Sequence, residues 1–292
     1  MDGPLVVGVD GSDSGLRAVD WAVDEAVRHG LPLRLVHAAH WERYEGARPR
    51  PRGERPAGTV LADQIAASCA ERAQLRDPAV ELATEVRPGD AVSILLDAGR
   101  DAFALVTGAR GRGGFAGMPL GSVGLTVAAR AVCPVVVVRG EERNRQGDYD
   151  RLVLGVGDAT QGTSTARFAF REAEARGSPL TAVRAWRRTR EHVGQAMTVA
   201  GSAGEDEEEE RAAALLAVAL REAAADHPEV KVEQELVEGP AHQALVNASA
   251  EADLLVVGAL RRHGHFGRPL GRVAHALLHH SRCPVAIVPH PA

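Results

Sequence analysis

The sequence predicts an α/β chain of two tandem, doubly wound, five-stranded parallel-sheet (Rossmann-like) domains. Short apolar runs alternate with longer helical segments, and the whole pattern occurs twice in 292 residues. The runs 5–9 and 135–138 are apolar at nearly every position rather than at every second one. Such strands are typical of a parallel sheet covered by helices on both faces. A chain of this length is also expected to form about two domains.

An internal duplication supports the two-domain organisation. Val6-Val7-Gly8-Val9-Asp10 matches residues 153–157, and Cys133-Pro134-Val135 matches residues 283–285. The repeat is close to half the chain, which indicates a tandem duplication rather than a solenoid. We expect domains at residues 1–140 and 151–292, joined by a polar, unpatterned linker at residues 141–150.

The elements of the first half follow from periodicity and capping signals. Apolar residues recur at helical spacing on one face of residues 16–29, and Gly30 ends that helix. Asp90 is a capping residue before the third helix. The predicted elements are strand 5–9, turn 10–14, helix 16–29, strand 33–38, a mobile loop at 41–58, helix 59–76, strand 79–86, helix 90–98, a strand from 104, a glycine-rich loop, helix 123–131 and strand 135–139.

The glycine-rich loop is the main functional signal. A short apolar run ends at Gly108, several glycines follow, and Gly121-Ser122 opens a helix. Glycines allow close backbone approach, and a helix N-terminus presents unpaired N–H groups, so this order predicts a phosphate site. Arg110 and Arg112 can add positive charge. A flexible surface loop is the alternative interpretation.

Two common phosphate motifs are absent from this loop. The Walker pattern needs a lysine before the serine, but the only lysine of the chain is Lys231. The dinucleotide pattern G-x-G-x-x-G fails at Ala116. The spacing that fits is G-x2-G-x9-G-S, which resembles the ATP-binding class of universal stress proteins. It is formed by Gly108, Gly111, Gly121 and Ser122.

The resemblance to universal stress proteins extends over nearly the full chain. In the first half it includes V-G-V-D-G-S, L-V-H-A, R-P-G-D and C-P-V-V-V-V, in that order. It implies ATP as the ligand, with or without Mg²⁺. The residues implied for adenine and ribose are Gly8, Val9, Asp10 and Ala38. Those implied for the phosphates are Thr107, Gly108, Arg110, Gly111, Gly121, Ser122, Val123 and Gly124.

The second half departs from this pattern at three positions. Gly157 replaces the aspartate, Arg261 replaces the second glycine, and Arg272 replaces the serine. An arginine lacks the conformational freedom of glycine, and its side chain can fill the phosphate space. We expect a degenerate domain kept for pairing and stability. A pocket for a different anion is the alternative.

Charge and composition argue against several classes of function. The net charge of −5 gives no electrostatic basis for nucleic-acid binding. No apolar run approaches the roughly 20 residues that a membrane helix needs. No signal-peptide pattern precedes the first strand. The three cysteines are scattered along the chain and predict no disulfide framework. We expect a cytoplasmic ATP-binding sensor or regulator of the stress response, with no catalytic residue and no metal site. A slow ATPase and a structural, partner-binding module without ligand remain alternatives.

The last strand of each half predicts an association. Residues 135–138 are all valine, and an edge strand of that composition needs cover or a partner. Together with the resemblance, this predicts that the two domains pair through their last strands within one chain. Any homodimer would then use a further surface, and a protein partner is expected whose identity the sequence does not give.

The pairing can be tested with residues 1–140 alone. We expect this fragment to dimerise, because its last strand has lost its intramolecular partner. Sedimentation equilibrium would measure its mass, and thermal unfolding would compare its stability with that of the full chain. A fragment that stays monomeric at high concentration and is as stable as the full chain would contradict the prediction.

Overall fold

The computed structural model describes residues 3–39, 57–111, 120–157, 162–187, 203–259 and 270–290. The chain divides into two compact units, Met1–Arg139 and Gly140–Ala292. Nearly all of the loop expected at 41–58 and the glycine-loop residues 112–119 lie outside the described residues. Arg261 and its basic neighbours in residues 260–269 also lie outside them.

The first unit is a five-stranded parallel sheet in the order β3-β2-β1-β4-β5. Its strands are β1 (Leu5–Gly8), β2 (Leu33–Ala39), β3 (Leu82–Pro88), β4 (Ala104–Gly108) and β5 (Val135–Val138). Its helices are α1 (Asp13–His29), α2 (Ala57–Arg76), α3 (Ala91–Ala98) and α4 (Ser122–Arg130). This alternation of parallel strands and helices confirms the predicted fold class.

The strand order places a crevice between β1 and β4. The chain runs outward from β1 to β3 and then returns to the other side of β1, so the order reverses at this pair. Gly8 at the end of β1 is in register with Thr107 near the end of β4. The loops that follow these strands therefore leave the sheet side by side. Ligands of doubly wound sheets bind at such a reversal.

The core of the first unit is built from the apolar strands and one face of α1. Leu5, Val6 and Leu105 have no exposed surface. On the predicted apolar face of α1, Val19, Ala22, Val23 and Ala26 are buried, whereas Leu16 is half-buried and Val27 is 45% exposed. The helix begins at Asp13 rather than at residue 16, because Ser12 caps it. It ends at Gly30, whose φ of 62° is left-handed.

The start of β3 differs from the prediction for a local reason. β3 begins at Leu82 rather than at residue 79. The Asp77 carboxylate accepts a hydrogen bond from the Ala79 N–H (2.8 Å), and the Asp77 carbonyl accepts one from the Val80 N–H (3.3 Å). This turn occupies the backbone that the alternating pattern had assigned to the strand.

The second unit repeats the sheet, with the order β8-β7-β6-β9-β10 and all strands parallel. Its strands are β6 (Leu152–Gly155), β7 (Leu180–Trp186), β8 (Val232–Glu238), β9 (Leu254–Gly258) and β10 (Val285–Val288). Its helices are α5 (Glu142–Gln146), α6 (Gly162–Arg176), α7 (Ala203–Asp226), α8 (Ala241–Ala248) and α9 (Arg272–His280), with a 3-10 turn at Ser249–Glu251. No helix in the described part of the chain is long and apolar enough to cross a membrane.

Residues 141–150, expected to be an unpatterned linker, carry helix α5 and pack into the second unit. Asn144 is 1% exposed, and its amide donates to the carbonyls of Ser249 (3.3 Å), Ala250 (3.2 Å) and Ala252 (2.7 Å). The segment is therefore held by a polar side chain. A search for apolar periodicity cannot detect an anchor of that kind.

Candidate functional site

The crevice of the first unit is closed at one end by a hydrogen-bonded turn after β1. The Asp10 Oδ1 atom accepts hydrogen bonds from the Ser12 N–H (3.0 Å) and the Ser12 hydroxyl (2.6 Å). The Ser12 Oγ atom accepts the Gly15 N–H (3.1 Å) and so caps α1. Asp10 is thus a turn residue that orients the capping serine, and it is not the cap itself.

The second oxygen of Asp10 faces the glycine loop. A Cβ atom placed on Gly111 would lie 2.6 Å from Asp10 Oδ2, closer than real side chains approach. Gly111 therefore keeps the space beside this carboxylate open. Gly111 is exposed and its φ is not left-handed, so glycine is required here for the space it leaves and not for its backbone conformation.

Gly108 has a different role, because it packs directly on the first turn of α1. A Cβ atom at Gly108 would lie 2.6 Å from the Ser14 carbonyl oxygen. The Arg110 N–H then donates to the Ser14 hydroxyl at 3.2 Å. The loop after β4 is bonded to the start of α1, which sets the distance between the two sides of the crevice.

The start of α4 forms the other wall. Gly121 is the capping residue, and it provides no side-chain hydrogen bond to the helix. The first N–H groups of α4 therefore donate no hydrogen bond to a capping side chain, and they carry the positive end of the helix dipole. The Gly121 N–H itself donates to the Ala109 carbonyl at 2.7 Å, which ties the helix start to the loop after β4.

Thr107 contributes a buried hydroxyl close to this helix start. Thr107 is 5% exposed, and its Oγ1 atom has no hydrogen-bond partner among the described residues. A Cβ atom on Gly124 would lie 3.3 Å from that oxygen, so the absence of a side chain at Gly124 leaves the hydroxyl room. A buried hydroxyl without a partner is costly unless a ligand or water satisfies it.

The end of β2 lies beyond the last residue of its neighbour β1. The Val36 carbonyl accepts the Val9 N–H at 3.0 Å, whereas the Ala39 carbonyl accepts the Gly89 N–H at 3.2 Å on the β3 side. In a strand, the backbone N–H and C=O groups of alternate residues point to the same side. Those of Ala38 therefore point, like those of Val36, to the side on which β1 lies, but at a level beyond the end of β1. A backbone donor and acceptor are thus directed over the crevice.

His37 is a packed residue in this structure. It is 8% exposed, and its Nδ1 atom lies 2.7 Å from the Val9 carbonyl oxygen. Because a carbonyl only accepts, Nδ1 carries the proton and the ring holds the end of β1. Gly8 also has a packing role, since a Cβ there would lie 2.9 Å from the Leu95 side chain on α3.

The twelve predicted site residues lie on four segments around the β1–β4 reversal. They are Gly8, Val9 and Asp10 after β1, Ala38 at the end of β2, Thr107, Gly108, Arg110 and Gly111 at the end of β4, and Gly121, Ser122, Val123 and Gly124 at the start of α4. That they hold a nucleotide stays a prediction. Arg112 lies outside the described residues. Sequence reasoning missed Ser14, whose role depends on a contact between distant segments.

The buried thiols of this unit are weakly acidic. Burial raises the pKa of Cys133 to about 11. Burial, followed by the negative charge of Asp10, raises the pKa of Cys69, which lies under the turn after β1. Nucleophilic thiols need a lowered pKa, so these cysteines are suited to packing.

The corresponding crevice of the second unit is lined differently. Gly157 lies where Asp10 lies in the first unit, and the Arg184 guanidinium donates to its carbonyl. A Cβ on Gly258 would lie 2.8 Å from His290 Nε2 and 2.9 Å from Thr165 Oγ1. The space beside this strand end is therefore occupied by side chains. Asp158, which follows Gly157, lies outside the described residues.

The fold and the crevice define a class of protein: doubly wound α/β domains in tandem, with a glycine loop and an uncapped helix start at the strand reversal. The model of the universal stress protein family matches residues 2–139 and 148–289. The chain belongs to the universal stress protein family.

Relatives with the same tandem arrangement match almost the whole chain. The universal stress protein Rv2623 of Mycobacterium tuberculosis is 31% identical over 295 residues, which cover 97% of this chain and 95% of that protein. Rv2005c of the same organism is 29% identical over 303 residues, covering 97% and 96%. A universal stress protein structure from Archaeoglobus fulgidus shares the fold, with a TM-score of 0.69, 14% identity and coverage of 99% and 98%.

The turn after β1 generates a testable prediction. Ser12→Ala removes the cap of α1 and one partner of Asp10, so it should lower the free energy of unfolding by about 0.5–2 kcal/mol. Urea denaturation followed by circular dichroism measures this. Ser68→Ala, at an exposed position in α2, is the matched control and should change stability far less. Equal effects of the two substitutions would show that the cap contributes nothing specific.

Proposed function

We propose that the first domain binds an adenine nucleotide in the β1–β4 crevice, and that the protein acts as a nucleotide-dependent sensor or regulator of the stress response. The observation that carries this proposal is the opposition of two features across the crevice. One is the Asp10 carboxylate, whose Oδ2 atom faces the space kept open by Gly111. The other is the start of α4, which has no side-chain cap.

The phosphates are assigned to the start of α4. Backbone N–H groups at Ser122, Val123 and Gly124 would donate to phosphate oxygens, and the helix dipole favours their negative charge. The buried Thr107 hydroxyl lacks a partner among the described residues, and a phosphate oxygen or its water would satisfy it. The exposed Arg110 guanidinium can neutralise charge at the mouth of the crevice.

The ribose and the adenine are assigned to the ends of β1 and β2. The Asp10 Oδ2 atom is a strong acceptor for ribose hydroxyls, and Ser12 holds the carboxylate in place through Oδ1. The backbone donor and acceptor of Ala38 point over the crevice and match the hydrogen-bonding edge of adenine. Mg²⁺, if it accompanies ATP, would be bound through the phosphates, whose charge it neutralises.

Regulation is favoured over catalysis because both oxygens of the Asp10 carboxylate have a role in the proposed site. Hydrolysis of a phosphoanhydride needs a positioned water and charge stabilisation. One carboxylate oxygen of Asp10 accepts hydrogen bonds from Ser12, and we assign the other to the ribose hydroxyls. We propose a cytoplasmic setting as well, since the three cysteines are buried and none forms a disulfide bond, as is usual in a reducing compartment.

The two domains should differ in occupancy. The second domain has Gly157 in place of the carboxylate, and His290 fills the space beside Gly258. We therefore expect one adenine nucleotide per chain. Calorimetric titration of nucleotide-free protein with ATP, AMP and cyclic AMP would give the stoichiometry and the preferred nucleotide. Two equivalent sites per chain, or no binding of any of the three, would contradict the proposal.

Substitutions in the same titration locate the site. Gly111→Val should abolish binding, because the new side chain meets the Asp10 carboxylate and fills the crevice. Ser122→Ala should weaken binding by about 1–3 kcal/mol, the usual value for a hydrogen bond to a charged group. Gly30→Asn is the control, since it lies in the same domain at a left-handed helix end with no atom near its Cβ position. Unchanged affinity of Gly111→Val would place the phosphates elsewhere.

A further inference from the structure

The second domain contains a cleft that corresponds in position to part of the crevice of the first domain but is lined by different side chains. It has a volume of about 490 Å³ and lies beyond the end of β7, between the first turns of α8 and α9. Its lining includes Trp186, Arg187, His242, Arg272, Val273 and Ala276. A cleft of this size with a mostly apolar lining and a few polar groups is typical of a small-molecule site.

We propose that this cleft binds a small planar aromatic ligand that carries one anionic group, either a carboxylate or a phosphate. This cleft lies in the second domain, and binding there does not depend on nucleotide binding in the first. It gives the second domain a binding role of its own.

The aromatic part of the ligand is inferred from Trp186. This residue ends β7, is only partly buried and lines the cleft, so a ligand there meets its large apolar side chain. Val273 and Ala276, one turn apart on α9, supply small apolar surface in the same cleft. Among the described residues the indole N–H of Trp186 has no hydrogen-bond acceptor. Stacking on such a ring favours planar ligands.

The negative charge of the ligand is inferred from the cations around the ring. Arg187 and Arg272 are exposed, and neither forms an ion pair with any residue in the described ranges. Both guanidinium groups can donate two parallel hydrogen bonds to a carboxylate or phosphate. The capping positions of α8 and α9, Pro240 and Gly271, provide no side-chain acceptor, so both helix starts add positive potential to the cleft.

The aligned positions of the first domain show that this lining is not a copy of the nucleotide site. Trp186 and Ala39 are the last residues of their strands, and each carbonyl accepts the N–H of the glycine that follows the neighbouring strand, Gly239 and Gly89 respectively. His242 corresponds to Val92 as the second residue of its helix, and Arg272 corresponds to Ser122 as the first. The second domain thus has an indole ring, an imidazole and a guanidinium group where the first has small or apolar side chains.

The ligand class also differs from a nucleotide. Gly157 provides no carboxylate for ribose hydroxyls, and side chains occupy the space at the end of β9. The cleft therefore offers the indole ring of Trp186 beside the guanidinium groups of Arg187 and Arg272. A compact aromatic acid matches these two features without needing a sugar site.

Calorimetry on the full-length protein tests the proposal with three naphthalene probes. We expect 1-naphthoate or 1-naphthyl phosphate to bind with one site per chain, and the relative affinity of the two identifies the anionic group. The neutral 1-naphthalenemethanol should bind at least about tenfold more weakly, because it forms no charge-assisted hydrogen bond. Failure of both anionic probes to bind, or equal binding of the neutral probe, would overturn the proposal.

Variants assign the binding to the cleft. Arg272→Gln and Trp186→Leu should each weaken probe binding by about tenfold or more, whereas Trp186→Phe should retain part of it because a ring is kept. Arg221→Gln, an equal loss of charge at an exposed position on α7, is the control and should leave affinity unchanged. Gly111→Val should also leave it unchanged, which separates this site from the nucleotide crevice. Probe binding that survives both Arg272→Gln and Trp186→Leu would overturn the assignment.

Discussion

The crevice of the first domain depends on one close backbone contact, that of Gly108 with the first turn of α1. No side chain fits at this position, because a Cβ would meet the Ser14 carbonyl oxygen. The contact lets the Arg110 N–H reach the Ser14 hydroxyl, and it brings the loop after β4 beside the Asp10 turn. The width of the crevice, and hence any ligand it can hold, follows from this packing.

The Asp10 turn shows how a fold requirement and a binding requirement share one side chain. One carboxylate oxygen holds Ser12, which caps α1, and the other faces the open space beside Gly111. Because the turn is tied to a helix start, the carboxylate is oriented before any ligand arrives. Preorganised groups of this kind reduce the entropy that binding must otherwise overcome.

The second domain has the same sheet as the first but different residues where the strands end and the helices begin. The strand order and the parallel pairing are the same in both units, and the strand interiors are equally apolar. The changes fall at strand ends and helix starts, as at Gly157, Trp186 and Arg272. Burial constrains the strands, whereas residues at the ends of strands can change without disturbing the core. A duplicated scaffold can therefore carry two unlike sites.

The sequence by itself determined the fold class, the duplication and the order of the elements. Those features follow from apolar runs and helical periodicity, which are local properties of the chain. It also pointed to the Gly108–Ser122 segment, because glycine spacing before a helix start is a local signal as well. Element ends were less predictable, since the start of β3 depends on a turn at Asp77 and helix α5 on the buried amide of Asn144.

Only the tertiary structure decided what the individual side chains do. It separated the glycines that make room for packing, Gly8 and Gly108, from Gly111, which keeps space open beside a carboxylate. It made Ser12 the cap and Asp10 its partner, and it showed that Trp186 and Arg272 line one cleft. Apart from the Ser12 cap, whose partners are two and three residues away, these roles arise between residues more than 80 positions apart. The physical reason is that backbone approach and side-chain convergence are set by the crossing of strands and helices, which local patterns along the chain do not encode.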